Sequence, residues 1–85
     1  MDEDTTPDQA ALADLTARLQ AELREVDKDL ASIRATVAEL RSSVGEAEDP
    51  ADRGALIHAA DEQDNLADQL AARRERLLSR IAEGE

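Results

Sequence analysis

The stretch EAEDPADRGA, residues 46–55, decides the fold because it separates two long runs of helix-forming residues. Asp49 followed by Pro50 is typical of a helix opening, since aspartate caps helix N-termini and proline is tolerated at the first helical position. Asp52 would then lie in the first turn, where the helix dipole favours a negative charge. Gly45, just before the stretch, is expected to end the preceding helix as a left-handed C-cap residue. The stretch therefore predicts a short turn between two helices.

The first run carries an apolar repeat with a period of seven residues. It opens with Thr6 as a candidate cap, Pro7 in the first turn and Gln9 in the capping-box position. Thr16 interrupts the repeat once. The apolar members recur at spacings of mostly three and four and are Leu12, Leu19, Leu23, Val26, Leu30, Ile33, Val37, Leu40 and Val44. Such a sustained seam is typical of a coiled coil.

The second run has a weaker apolar stripe, because alanine takes several of its positions. Its members are Leu56, Ala59, Ala60, Leu66, Leu70, Leu77 and Ile81. Gln63 and Arg73 fall on or near the same stripe. Four arginines crowd the last turns at positions 73, 74, 76 and 80, where cations favour the helix dipole, and Gly84 is expected to end the helix.

The two runs predict an all-α protein, a long antiparallel two-helix hairpin of coiled-coil type. We expect helix one at about 7–44, the tip at 45–49 and helix two at about 50–83, within a hairpin spanning 6–84 after an acidic tail at 1–5. A loop this short makes neighbouring helices antiparallel, and each helix would be about 50 Å long. The predicted seam comprises Leu19, Leu23, Val26, Leu30, Ile33, Val37 and Leu40 on helix one and Leu56, Leu66, Leu70 and Leu77 on helix two.

The composition limits the core that such a hairpin can build. Seventeen leucine, isoleucine and valine residues accompany seventeen alanines, and aromatic side chains are absent. Small domains with little apolar bulk gain limited stability from burial and often depend on self-association or a partner. We therefore expect a weak homo-oligomer, with a four-helix bundle of two hairpins as its form.

The net charge of −11 and the pI near 4.3 argue against direct nucleic-acid binding and against adhesion to anionic membrane surfaces. The chain has no cysteine for a disulfide or a thiolate metal site. Its N-terminal residues are acidic and lack the apolar core of a signal peptide, and no run is long enough to span a membrane. These features favour a cytoplasmic protein whose partner is a basic protein surface.

The sequence carries no catalytic signature. His58 has no second histidine, no cysteine and no HExxH spacing around it, so we expect a surface or seam-edge histidine. DEQD, residues 61–64, lacks the glycine and the terminal glutamate of a calcium loop. A hairpin also offers no pocket in which carboxylates could be desolvated. We therefore expect no enzyme activity, no cofactor and no metal site.

The segment DPADRG, residues 49–54, resembles the coiled-coil tip of the DksA/TraR family of RNA polymerase regulators. In that family the tip reads Asp-x-x-Asp-x-Ala and enters the secondary channel of RNA polymerase near the active-site magnesium. Asp49 and Asp52 match the two aspartates, and Gly54 stands where the family has alanine. The resemblance implies a non-enzymatic transcription regulator that perturbs the polymerase active site through Glu48, Asp49, Asp52, Arg53 and Gly54.

Two further segments extend the resemblance along the chain. LLSRIAEGE, residues 77–85, is similar to the segment that leads into the zinc finger of the same family, although the chain has no zinc ligands. LIHAADEQ, residues 56–63, is similar to the N-terminal hairpin of the Gre transcript-cleavage factors, which enter the same channel. The alternative is a structural or adaptor coiled-coil module for homo- or hetero-oligomerisation, which the thinner stripe of helix two would favour by leaving apolar area uncovered.

Overall fold

The computed structural model describes residues 5–83, with side chains from residue 9 onward, and it is a helical hairpin. Helix α1 runs over Thr5–Glu46 and helix α2 over Pro50–Glu83, with three residues between them. The helices pack against each other as an antiparallel pair, and the rod measures 74 × 14 × 13 Å. Residues 5–83 contain no strand. The prediction of a long all-α hairpin is confirmed.

The helix bounds differ from the predicted ones at both ends of α1. The helix begins at Thr5, so Thr6 lies inside it, whereas residues 1–4 of the predicted tail and Gly84 lie outside the described residues. At its other end α1 continues to Glu46, and the prediction that Gly45 ends it in a left-handed conformation is wrong.

Gly45 does not take a positive φ. The backbone N–H of Ala47 donates to the carbonyls of Ser43, at 3.0 Å, and Val44, at 3.3 Å. Helical hydrogen bonding therefore runs past the glycine. Because the last turn closes in this way, the chain leaves the helix without the left-handed residue that a glycine C-cap provides.

From Leu19 onward, the seam of α1 packs as the heptads predict. Buried residues recur on both helices at heptad spacing and are Leu19, Val26, Leu30 and Val37 on α1 and Ala60, Ala67 and Leu77 on α2. Leu19, Val26 and Leu77 form one cluster, against which Leu23, Leu70 and Ile81 pack. The remaining predicted seam residues Ile33, Leu40 and Leu56 are partly buried at its edges.

Leu66 does not lie in the seam, which corrects the prediction. Its side chain is 44% exposed, whereas the adjacent Ala67 is 6% exposed and takes the buried position. Ala67 follows Ala60 by one heptad, so the small residues, not the leucine, continue the buried stripe. Leu66 instead shares the flanking heptad position of Ala59 and Arg73.

Ion pairs cross from one helix to the other along the rod. Arg73 contacts Glu22 at 3.0 Å and Arg74 contacts Asp27 at 2.6 Å. Nearer the tip, Arg41 pairs with Asp64 and lies 3.7 Å from Asp61. These side chains are partly exposed, so each pair contributes no more than about 1 kcal/mol. They join the two helices at several levels of the rod, contacts that helix-dipole arguments for Arg73 and Arg74 did not predict.

Candidate functional site

The candidate site is the tip segment, called the tip from here on, which comprises residues 46–54 and so includes the loop and the first turn of α2. The chain reverses there within three residues, and Asp49 caps the start of α2. The backbone N–H of Ala51 donates to Asp49 Oδ1 at 3.0 Å, and the N–H of Arg53 donates to the Asp49 carbonyl at 3.0 Å. Pro50 is the first residue of α2. This is the geometry of an N-cap, in which a side-chain oxygen satisfies a backbone donor that the helix leaves unpaired. The predicted capping role of Asp49 is confirmed.

Arg53 spans the turn from the other side. Its Nη2 donates to the Ala47 carbonyl at 3.0 Å and to the Glu48 carbonyl at 3.4 Å. Carbonyls at the end of a helix lack intrahelical partners, and a guanidinium from the next helix can satisfy them. Arg53 was predicted as a partner-binding residue, which stays a prediction, and in the structure its guanidinium ties α2 to the loop.

Glu48 and Asp52 have no such task. Both residues are exposed, and neither side chain has a hydrogen-bond or ion-pair partner among residues 9–83. Asp52 lies in the first turn of α2, where the helix dipole stabilises its charge by a few tenths to about 1 kcal/mol. The tip carries four carboxylates and one arginine, a net charge of −3. Since the arginine faces backbone carbonyls, the tip presents negative charge to its surroundings.

Gly54 is not required by the fold. It lies inside α2 without a positive φ, and a Cβ placed on it would meet nothing within 4 Å. Alanine, the residue of the DksA/TraR pattern, would therefore fit there without a clash. The difference from that pattern carries no steric consequence within this hairpin.

The candidate residues outside the tip form surface pairs. His58 Nε2 lies 2.8 Å from Glu62 Oε1 on an exposed face of α2, as expected for a surface histidine. Asp61 and Asp64 of the DEQD segment face Arg41. Within the described residues no group of three or more acidic, histidine or cysteine side chains is arranged to hold a metal ion. Neither described helix has a stretch long and apolar enough to cross a membrane.

The opposite end of the rod, the open end, is formed by residues 9–29 of α1 and 73–83 of α2. It exposes apolar surface, and the prediction that Leu12 belongs to the packed repeat of helix one is wrong. Leu12 is 53% exposed and Leu15 is 43% exposed. A shallow groove at this end is lined by Leu15, Leu19 and Val26 together with charged residues of both helices. The molecule thus has an acidic tip at one end and an apolar, charge-rimmed surface at the other.

Comparison with protein-family models, with curated proteins and with solved structures gives no match for this chain. A two-helix hairpin is a simple architecture that does not by itself identify a family. The function is therefore argued from the tip and the shape of the rod, with the resemblance of residues 49–54 as a hypothesis about the partner.

Proposed function

We propose that this protein is a non-enzymatic transcription regulator that inserts its acidic tip into the secondary channel of RNA polymerase. The shape supports insertion into a recess. The radius of gyration is 20.1 Å, against about 12 Å for a compact domain of the same length. A rod whose Cα trace is 14 × 13 Å in cross-section can carry side chains deep into a channel that a compact domain of this size would be too wide to enter.

The observation that carries the proposal is that only some of the charged side chains at the tip hold the turn. Asp49 and Arg53 hold the turn through hydrogen bonds to the backbone. The side chains of Glu48 and Asp52 make no hydrogen bond or ion pair with residues 9–83. Carboxylates left over at the extreme end of a rod raise electrostatic repulsion within an already acidic chain. A partner with a bound divalent cation or basic side chains at the bottom of a recess would give these charges a role.

The exposure of the tip carboxylates to water indicates how they would act. Carboxylates in contact with water at the end of a helical pair are not desolvated as a catalytic acid or base would be. They would act by their charge on a site that belongs to the partner. In the family that the tip resembles, that site is the polymerase active centre with its magnesium ion, which the tip perturbs without turning over a substrate.

In vitro transcription with the polymerase of the source organism tests the proposal. The variants are Asp52→Asn, Asp49→Asn and their combination. Asp68→Asn is the matched control, because Asp68 is an exposed α2 carboxylate about 24 Å from Asp52 and has no partner among residues 9–83. We expect wild type and Asp68→Asn to change transcript yield equally, and Asp52→Asn to lose the effect with its helical content unchanged.

Two outcomes would contradict the proposal. Equal loss in Asp52→Asn and Asp68→Asn would mean that total charge matters and the tip does not. A wild-type protein that neither binds the polymerase nor alters transcript yield at micromolar concentration would leave the adaptor function as the better explanation, in which the hairpin serves only to join chains.

A further inference from the structure

One edge of α2 changes from acidic to basic along its length. Its members follow one another at intervals of seven residues and are Asp52, Ala59, Leu66, Arg73 and Arg80. Residues at heptad spacing in a coiled coil lie on one line along the helix. This line, called the α2 edge from here on, borders the seam and carries an acidic residue at the tip, apolar residues in the middle and arginines toward the open end.

The charged ends of the α2 edge have no partner within the described hairpin. Asp52 has no hydrogen bond or ion pair with residues 9–83, and the same holds for Arg80 and for Arg76 one turn before it. Arg73 and Arg74, nearer the middle of the helix, instead reach carboxylates of α1. The unpaired charges thus lie at the two ends of one edge and have opposite signs.

Leu66 lies at the centre of the α2 edge. Asp52 precedes it by 14 residues and Arg80 follows it by 14 residues, and α2 itself runs over Pro50–Glu83. The Leu66 side chain is 44% exposed, and a single exposed leucine is ordinary on a protein surface. An antiparallel copy of the same helix centred on Leu66, however, would bring Asp52 of one copy level with Arg80 of the other. The α2 edge is therefore complementary to itself.

We propose that two copies of the hairpin associate side by side through their α2 edges, with the α2 helices antiparallel about a two-fold axis at Leu66. The two Leu66 side chains cover each other, and Asp52 of each copy lies beside Arg80 and Arg76 of the other. A parallel pair would instead place Asp52 against Asp52 and Arg80 against Arg80, which like-charge repulsion disfavours. An isologous contact of this kind closes at two copies.

The charge of the whole helix favours the same arrangement. Residues 50–66 contain four acidic residues and one arginine, a net charge of −3, whereas residues 67–83 contain four arginines and three acidic residues, a net charge of +1. Antiparallel pairing sets each half against the half of opposite sign. Because Leu66 is at the midpoint, the two α2 helices also overlap over their full 34 residues, a length of about 50 Å.

The area of this contact makes the dimer weak. A strip about 50 Å long and about 10 Å wide covers roughly 500 Å² per copy, below the roughly 800 Å² of a standard interface. The net charge of −11 on each copy opposes association further. We therefore expect a dimer in reversible exchange with the monomer. Since the dimer engages Asp52, the form that inserts its tip into a partner, as proposed above, is the monomer.

Sedimentation of the full chain from micromolar to millimolar concentration tests this, at about 0.15 M salt, where charges more than about 8 Å apart are largely screened. We expect a monomer–dimer equilibrium. Leu66→Gln should raise the dissociation constant about tenfold, because it replaces both apolar side chains on the axis by polar ones. Ile57→Gln is the matched control. Ile57 is 43% exposed and lies nine residues from Leu66, on the opposite side of α2, so this variant should dimerise as wild type does.

Charge reversal tests the pairing of Asp52 with Arg80. Asp52→Lys and Arg80→Glu should each raise the dissociation constant about tenfold or more, because each variant puts like charges together at two symmetry-related places. The double variant keeps the net charge of wild type and exchanges the two signs, so it should dimerise about as tightly as wild type. Circular dichroism on every variant separates loss of dimer from loss of fold.

Four results would overturn the proposal. They are a monomer at every concentration, equal weakening by Leu66→Gln and Ile57→Gln, single charge reversals that leave the dimer unchanged, and a double variant as weak as the single ones. The last result would mean that Asp52 and Arg80 of two copies do not meet. None of these results depends on the polymerase assay, so the two proposals can fail separately.

Discussion

The two halves of the rod use the same heptad repeat with different side chains. In the open half the α2 side of the core is Leu77, packed with Leu19 and Val26. In the tip half the buried α2 residues are Ala60 and Ala67. The large buried side chains of the tip half, Leu30 and Val37, come from α1 alone, whereas both helices supply them in the open half. The comparison shows how one helix with large side chains and one with alanines can share a single seam.

Polar contacts differ between the shaft and the tip. The shaft has ion pairs between partly exposed side chains, Arg73 with Glu22, Arg74 with Asp27 and Arg41 with Asp64. The tip has side-chain hydrogen bonds to backbone groups from Asp49 and Arg53. Exposed ion pairs are weakened by salt, whereas capping bonds within one turn depend mainly on local geometry. The tip should therefore keep its shape under conditions that loosen charge pairing along the shaft.

Truncating the bulky half should have the largest effect. We expect Leu77→Ala to lower the free energy of unfolding by about 2–5 kcal/mol, because it removes buried methyl groups and leaves a cavity between two helices. Leu66→Ala is the matched control. Because Leu66 is largely outside the seam, its truncation should cost less than about 1 kcal/mol.

Urea denaturation followed by circular dichroism measures both variants. Similar losses for Leu77→Ala and Leu66→Ala would show that α2 is rotated relative to the described register, with Leu66 inside the core. That result would also remove the basis for treating the alanines as the buried stripe of the tip half.

The sequence predicted the seam of α1 and misplaced one residue of α2 for the same physical reason. Large apolar side chains at heptad spacing favour burial, so Leu19, Val26 and Leu30 identify their own face, although Leu12 of the same repeat is exposed. Alanine fits either face of a helix. A stripe containing Ala59, Ala60 and Ala67 therefore left the register open, and Leu66 was assigned to the core because of its size.

The tip shows a similar limit. Asp49 before Pro50 predicted the cap, because the interaction lies within one turn of chain. The contacts of Arg53 with the carbonyls of the loop depend on how the two helices meet, which no local pattern specifies. For the same reason Arg73 and Arg74 were assigned to the helix dipole when their partners lie on α1. Contacts between residues far apart in the sequence can be predicted only when the register of the two helices is known, and that register came from the structure.

Overfilling the alanine half should have an intermediate effect. Ala60 is 0% exposed, so Ala60→Leu would place three additional carbons in a space that α1 already fills. We expect a loss of about 1–3 kcal/mol in the free energy of unfolding. Ala55→Leu, on an exposed face of the same helix, should be close to neutral. A stabilised Ala60→Leu variant would mean that the tip half has spare volume and is held by the same means as the open half.

The smallest effects belong to the cap, and they separate the structural task of Asp49 from any task of its charge. Asp49→Ala should cost about 1 kcal/mol, because the Ala51 N–H loses its acceptor at the start of α2. Asp49→Asn keeps an acceptor oxygen in the same place and should cost only a few tenths of a kcal/mol from the reduced interaction with the helix dipole. Asp52→Asn, which breaks no hydrogen bond within residues 9–83, should be comparably mild. Thermal and urea unfolding measure the stability of the three variants. We expect Asp49→Asn and Asp52→Asn to be close to wild type and Asp49→Ala to be less stable than both. If Asp49→Asn were as unstable as Asp49→Ala, the charge and not the hydrogen bond would hold the turn, and the contrast between a geometrically capped tip and a charge-paired shaft would not stand.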